Sequence, residues 1–279
     1  MRPMELWQQA ERSLIKKYRK ELWGPFITAI QQYQLVQAGD RIAVCISGGK
    51  DSMLMAKLMQ ELQRHGEAPF EAVFLCMDPG YNDENRRLIE HNAALLRIPL
   101  TFFETDVFQS AEKAGGGSSP CYLCARMRRG NLYAEARRLG CNKIALGHHF
   151  NDVIETAVMS MFYGGQLQTM PPKLHSQNFQ GMELIRPLYR VREADIIAWA
   201  RYHGLTFLRC ACSVAQRNAA LENGSKRQEV KTLLRELKKT NPNIEISIFN
   251  SVHAVCLDTF PGYKSGGETH SFLERYAEP

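Results

Sequence analysis

Ser47-Gly48-Gly49-Lys50-Asp51-Ser52 is the stretch whose residue types and spacing carry chemistry most directly. Two glycines let a backbone approach an anion closely, and successive free amides form a nest for phosphate oxygens. Ser47 and Ser52 add hydroxyl donors, and Lys50 adds a cation. Asp51 would be repelled by bare phosphate, so it is expected to help hold Mg²⁺. The G-x-x-x-x-G-K-[ST] spacing of a Walker A loop is absent. A second constellation is sulfur-based. Cys121 and Cys124 form C-x-x-C, and Cys210-Ala211-Cys212 follows much later. Such a set suits zinc, an iron-sulfur cluster or a redox dithiol. Two thiol pairs could make a four-thiolate zinc site, although C-x-C is narrower than the usual zinc spacing. A third group is Gly147-His148-His149-Phe150-Asn151-Asp152. Asp152 is a candidate acid at a Mg²⁺ or phosphate site, with Glu155 one helical turn further on. The adjacent histidines could instead serve zinc.

These residues need elements to position them. Ile42–Ile46 is a short apolar run bounded by Gly39-Asp40 and Ser47-Gly48, which suits a buried parallel strand. Residues 53–66 read as the helix that follows, stopping at Gly66. Residues 70–78 read as a second strand, 82–99 as a second helix and 100–106 as a third strand. Met77-Asp78 then falls at a strand end near the loop, where it could meet a nucleoside. Glycine-rich Lys113–Pro120 is expected to be a loop, leading into a helix that opens with Cys121 and Cys124. Asn142 to Asp152 reads as a strand running into a turn, with a helix from Val153 behind it. Residues 193–204 read as a further helix and 226–243 as a basic one. Alternation of strand and helix predicts an α/β fold, a doubly wound parallel sheet with helices on both faces. Residues 1–38 read as helical, and the stretch after about Gly262 as a loose tail.

Composition narrows the classes. Hydrophobic residues make up 44% of the 279 residues and charged ones 23%, which excludes disorder throughout. The net charge of +6 favours a polyanionic partner. Basic clusters lie at Arg12–Arg19, at Arg126–Arg129 and at Lys226–Lys239. No apolar run approaches the ~20 residues that cross a bilayer, and the N-terminus has no signal-peptide core, so a cytoplasmic location is expected. Eight cysteines in such a chain point away from a disulfide framework and toward metal or catalysis. Cys45 and Cys76, inside apolar strand runs, read as core residues.

The hexapeptide Ser47–Ser52 resembles SGGxDS, the signature of PP-loop ATP pyrophosphatases. From about residue 38 to 212 the chain is similar to the tRNA 2-thiocytidine synthetase group of that family. The matching stretches are GDRIAVCISGGKDS, CYLCARMRRGNLY, NKIALGHHFNDVIET, MFYGG with MPPKL after it, and IRPLYRVREADI. The resemblance implies a PP-loop domain over 39–212, between a helical extension at 1–38 and a basic helical segment and tail at 213–279. It implies ATP bound by Ser47, Gly48, Gly49, Lys50, Asp51, Ser52, Asp78 and Gly147, with Mg²⁺. It also implies a 4Fe-4S cluster held by Cys121, Cys124 and one later cysteine, with its fourth iron free to carry sulfur. The family's later motif is PCxxC. Here it reads Arg209-Cys210-Ala211-Cys212, so Cys210 aligns better than Cys212 as the third ligand.

The implied activity is adenylation of an anticodon-loop cytidine in tRNA, at position 32, and replacement of its C2 oxygen by sulfur. Asp51, Asp152, Cys121 and Cys124 would carry it. A cysteine desulfurase or free sulfide would donate the sulfur, and a homodimer is implied. Arg126, Arg128 and Arg129 are expected to contact tRNA phosphates or the adenylate. Tyr122, Tyr133 and Tyr163 are candidates to stack on a base. Other readings remain: a related sulfurtransferase for another tRNA base or a small molecule, a lysidine-synthetase-like ligase, which needs no cysteines, or a non-catalytic zinc module that binds RNA.

Overall fold

The computed structural model describes residues 4–107, 120–208 and 226–276, with the backbone alone over 120–125. Among the described residues no helix is long and apolar enough to cross a membrane. Two compact units are present, one of residues 1–153 with 170–225 and one of 154–169 with 226–279.

The first unit is built on β1 (Arg41–Ile46), β2 (Glu71–Asp78), β3 (Leu100–Glu104), β4 (Lys143–Ala145), β5 (Lys173–His175) and β6 (Glu183–Ile185). Their order in the sheet is β3-β2-β1-β4-β6-β5. All pairings are parallel except β5 with β6, which is antiparallel. That edge departs from the expected all-parallel sheet. The stretch Ser176–Met182 between the two strands is too short for a parallel crossover, which needs a dozen or more residues, so the chain turns back on itself. Strand order reverses between β1 and β4, and in open α/β sheets ligands bind at the carboxyl ends of strands beside such a switch point.

Alternation along β1 buries both of its faces. Ala43 and Cys45 join Leu75, Ile144, Leu184, Tyr133 and Ala136 in one buried cluster. Tyr133 and Ala136 come from α5 (Pro120–Arg138), which covers that face. Ile42, Val44 and Ile46 project to the opposite face, and α3 (Lys50–His65) packs against β1. Each of these three residues is at least 97% buried, which stabilises the strand by roughly 2 kcal/mol apiece. Cys45 and Cys76 are buried free thiols, as expected of core cysteines, and Cys141 is a third.

N-terminal to β1, the chain forms α1 (Leu6–Ile15), a π-helical turn (Arg19–Trp23) and α2 (Gly24–Gln32). A buried ion pair fastens α1 to α3. The Lys57 ammonium, fully buried, donates to Glu11 at 2.7 Å, to Gln60 at 2.8 Å and to the Leu96 carbonyl at 2.9 Å. Between β2 and β3 lies α4 (Asp83–Leu95), and after β4 comes α6 (Phe150–Gly164), whose residues up to Val153 belong to this unit. After β6 follows α7 (Glu193–Tyr202).

The second unit contains the remainder of α6 together with α8 (Lys226–Thr240), α9 (Ile244–Ser251), β7 (Gly262–Ser265), β8 (Glu268–Ser271) and α10 (Leu273–Tyr276). The loose tail expected after Gly262 is instead an antiparallel hairpin, with Gly262 opposite Ser271. Gly266 and Gly267 turn it at φ +61° and +89°, which only glycine adopts cheaply and which suits a two-residue hairpin loop. Tyr263 stacks on His270 across the strands, ring centroids 4.7 Å apart.

Candidate active site

The phosphate loop starts where β1 ends. Helix α3 begins at Lys50, earlier than the sequence pattern suggests, so Lys50, Asp51 and Ser52 form its first turn. Gly49 precedes that turn in extended backbone, and no side chain caps it. First-turn amides without an intrahelical partner are the donors that bind anions at helix starts. Ser52 fixes the loop around them. Its hydroxyl accepts from the Ser47 amide at 3.2 Å and from the Ser47 hydroxyl at 3.3 Å, and donates to the Gly49 carbonyl at 2.9 Å.

Glycine is required at two positions. Gly48 has φ +80°, and a Cβ there would lie 2.5 Å from Ile89 Cγ1. Gly147, just beyond β4, faces the first turn of α3 so closely that a Cβ would meet the Ser52 nitrogen at 3.2 Å. The switch point is thus closed backbone to backbone, and Gly147 is placed beside the loop as expected.

Charged side chains converge on the loop. The Lys50 ammonium lies 3.2 Å from Asp51 Oδ2 and 3.0 Å from Glu193 Oε1. Burial alone would lower its pKa, but Asp51 and Glu193 outweigh burial and hold it above the ordinary lysine value. Glu193 is aimed by its own backbone, since the Glu193 amide donates to Asn151 Oδ1 at 2.9 Å at the start of α7. His149, 4% exposed, stands between two carboxylates. Its Nδ1 is 3.4 Å from Asp152 Oδ2, and its Nε2 is 3.8 Å from Asp51 Oδ1. The His149 amide donates to Asp152 Oδ2 at 3.0 Å. The two histidines have different surroundings: His149 lies between Asp51 and Asp152, its Nδ1 accepting from the Asp152 amide at 3.4 Å, while His148 lines a cavity.

That cavity, of about 660 Å³, lies at the switch point. Ser47, Asp51, Ser52, Gly147, His148 and Asp152 line it, together with Met77, Arg128, Arg129 and Arg186. Its volume falls in the range of small-molecule and cofactor sites. Asp51 Oδ1 is buried without a hydrogen-bond partner among the described residues. An orphaned carboxylate oxygen beside a phosphate loop fits a divalent cation. Among the described residues, no group of three or more His, Cys, Asp or Glu converges as a metal cage. Mg²⁺ needs none, because it is held by one or two carboxylates plus substrate phosphates and waters.

The other expected residues have varied surroundings. The Asp78 carboxylate accepts from the amides of Gly80 and Tyr81, at 2.9 and 2.7 Å, and pairs with Arg86 at 3.0 Å, so it shapes the turn after β2. Glu155 lies in the second unit, 3.8 Å from Arg227 and 3.7 Å from Lys231. Tyr133 is buried and stacked on Phe179 at 5.1 Å, which removes it as a base platform. The Tyr163 hydroxyl donates to Glu229 at 2.5 Å. Arg128 and Arg129 reach the cavity, whereas Arg126 is exposed and absent from its lining. Positions 121 and 124 fall in the first turn of α5, but the side chains of Cys121, Tyr122 and Cys124 lie outside the described residues, as do Cys210 and Cys212. Glu193, His149 and Arg186 carry no spacing signature. Glu193 and Arg186 do fall within IRPLYRVREADI, and His149 within GHHFND, so their stretches were visible although their roles were not.

Comparison with known proteins shows the family and the fold. Residues 24–218 match the PP-loop domain family. The chain is 34% identical over 263 residues to a tRNA-cytidine(32) 2-sulfurtransferase of Alkalilimnicola ehrlichii, covering 93% of this chain and 79% of that protein. It is 36% identical over 252 residues to the protein of the same description from Cellvibrio japonicus, covering 89% and 80%. For that of Nitrosospira multiformis the identity is 33% over 275 residues, covering 94% and 89%. Among solved structures, the U34-tRNA thiolase NcsA of Methanococcus maripaludis, determined with its 4Fe-4S cluster, shares the fold at TM-score 0.64 and 19% identity, over 91% of this chain and 82% of that one.

Proposed function

The chain belongs to the PP-loop family, in the group of the tRNA-cytidine(32) 2-sulfurtransferases, and we propose that the cavity between β1 and β4 is where it adenylates its target cytidine. It is an ATP-dependent tRNA sulfurtransferase that replaces the C2 oxygen of cytidine 32 with sulfur. One observation carries the assignment of the site: a single cavity is lined by the phosphate loop, by Asp51 and Asp152, and by Arg128, Arg129 and Arg186.

The C2 carbonyl of cytosine is a poor electrophile with a poor leaving oxygen. Attack of that oxygen on the α-phosphorus of ATP forms an O–P bond, breaks the bond to the β-phosphate and releases pyrophosphate. The first-turn amides of α3, with Ser47 and Lys50, hold the departing pyrophosphate charge. Asp51 and Asp152 would hold Mg²⁺, which neutralises phosphate charge when bound. The His149 backbone amide holds the Asp152 carboxylate in place. AMP is then the leaving group when the C2–O bond breaks and a C2–S bond forms. Cys121, Cys124 and Cys210 would hold the 4Fe-4S cluster, which supplies that sulfur when charged by a cysteine desulfurase or free sulfide. Three thiolates fit this task, because a fourth would leave no iron open to sulfide. Arg128 and Arg129 meet phosphates of the tRNA backbone around a splayed loop base.

The test is anaerobic purification, metal and sulfide analysis, and incubation with ATP and unmodified tRNA. About four irons and four sulfides per chain, with 2-thiocytidine at position 32 and release of AMP and pyrophosphate, are expected. Cys121→Ser should lose the cluster absorbance and thiolation together, and thiolation by a cluster-free variant would overturn the iron-sulfur reading. Asp51→Ala should lose adenylation and keep the cluster.

A further inference from the structure

Arg186 follows β6 directly, in Ile185-Arg186-Pro187, at the carboxyl end of the strand beside β4. Its amide is fixed to the Pro172 carbonyl at 2.9 Å. The residue is only 7% exposed, yet it lines the same cavity as the phosphate loop. Nη1 donates to the Pro171 carbonyl, while Nε is buried without a hydrogen-bond partner among the described residues. No described carboxylate forms an ion pair with it. Burial pushes its pKa down to about 10, with Tyr189, Tyr133 and Asp152 acting against burial and Arg129 adding to it.

A buried cation without a partner charge is destabilising. Here the guanidinium is largely buried, anchored at one nitrogen and unpaired at another, and Arg128 and Arg129 line the same cavity. Such a planar donor fork matches the non-bridging oxygens of a phosphoryl group. The loop amides, on α3, serve one end of a polyphosphate. Arg186, just after β6, reaches the cavity from beyond β4.

Resting on the reading of this cavity as the adenylation site, we propose that Arg186 is a catalytic residue that binds the non-bridging oxygens of the α-phosphate, in ATP and in the adenylated base. The guanidinium stays protonated throughout. It opposes the charge that builds on the α-phosphoryl oxygens while the bond from the base oxygen forms and the bond to pyrophosphate breaks, and it then holds AMP as the leaving group.

Calorimetric titration of the full chain with AMP, with pyrophosphate and with unmodified tRNA tests this, using wild type, Arg186→Met and Arg186→Lys. In Arg186→Met, AMP affinity should fall about tenfold or more, with partial recovery in Arg186→Lys, while pyrophosphate and tRNA affinities stay within about twofold. Without nucleotide, the melting temperature of Arg186→Met should equal or exceed that of wild type, because an uncompensated buried charge has been removed. Unchanged AMP affinity overturns the proposal, and so does a loss confined to tRNA, which would assign the arginine to an RNA backbone phosphate. A lowered melting temperature with loss of all three ligands marks a structural role and also overturns it. If wild type itself binds neither AMP nor pyrophosphate, the reading of the cavity fails, and the proposal with it.

Discussion

Lys50 and Glu193, separated by 143 positions in the chain, meet at 3.0 Å at the start of α3. Each is about one-quarter exposed, so the pair is partly screened by solvent. Glu193 thereby competes with phosphate for the lysine, and it also fixes where the ammonium stands. Glu193→Gln removes the competing charge and loosens the position. The KM for ATP should therefore fall by about two- to fivefold, equivalent to ~1 kcal/mol or less, while kcat also falls. Steady-state kinetics of AMP release will show this opposed pair of changes, and a raised KM would mean that Glu193 contributes to binding instead.

How much of this was readable beforehand follows from what kind of signal each residue leaves. The Ser47–Ser52 loop was legible because its chemistry is local: glycines, hydroxyls and a lysine adjacent in sequence between an apolar strand and a helix. Asp152 and Gly147 were legible because they follow a short strand directly. Glu193, His149 and Arg186 act through partners on other strands, and no periodicity in one sequence encodes such a meeting. The antiparallel β5–β6 edge was missed because each strand has only three residues, too few to show alternation. The β7–β8 hairpin was missed although Gly266-Gly267 is a turn signal, since its strands are short and largely exposed.

Gly48 is held by two independent constraints, a positive φ and the Ile89 side chain. Gly48→Ala should destabilise the protein by about 1–3 kcal/mol and abolish nucleotide binding, since relief would shift the loop amides. Adding Ile89→Ala should remove the steric contact but leave the backbone strain. Urea denaturation and AMP titration of the single and double variants will separate the two, with nucleotide binding remaining lost in both.

The opposite end of β1 is secured by a buried ion pair. Asp40, 5% exposed, accepts from Lys143 Nζ and from the Gln37 amide, both at 2.7 Å, and from Asn142 Nδ2 at 2.8 Å. Asp40→Ala leaves Lys143 with Glu183 at 3.4 Å and the Leu35 carbonyl at 3.1 Å. The expected cost is about 3–5 kcal/mol. Pairing Asp40→Leu with Lys143→Met should recover much of that loss, because no buried charge is then stranded. The denaturant midpoints of the two variants decide this. Well below the melting transition, AMP affinity should remain that of wild type, since Asp40 precedes β1 and the phosphate loop follows it.

Acid sensitivity is expected at the joint between α1 and α7. The Ser13 hydroxyl donates to the Ala10 carbonyl at 2.7 Å and accepts from Trp199 Nε1 at 3.1 Å. Its contact with His203 Nε2, at 2.8 Å, must therefore be one in which the imidazole donates. Burial, and to a lesser degree the Lys17 cation, hold the His203 pKa below the ordinary value of 6.5. Between the folded pKa and about 6.5 the unfolded chain binds more protons than the native one, so stability rises with pH through that window and is lost as pH falls through it. Denaturant midpoints measured from pH 7.5 down to pH 5 should decline more steeply in wild type than in His203→Gln, whose amide can still donate to Ser13. Lys17→Gln should reduce the decline without removing it, because burial is the larger cause. Parallel profiles for wild type and His203→Gln would show that the acid sensitivity arises elsewhere.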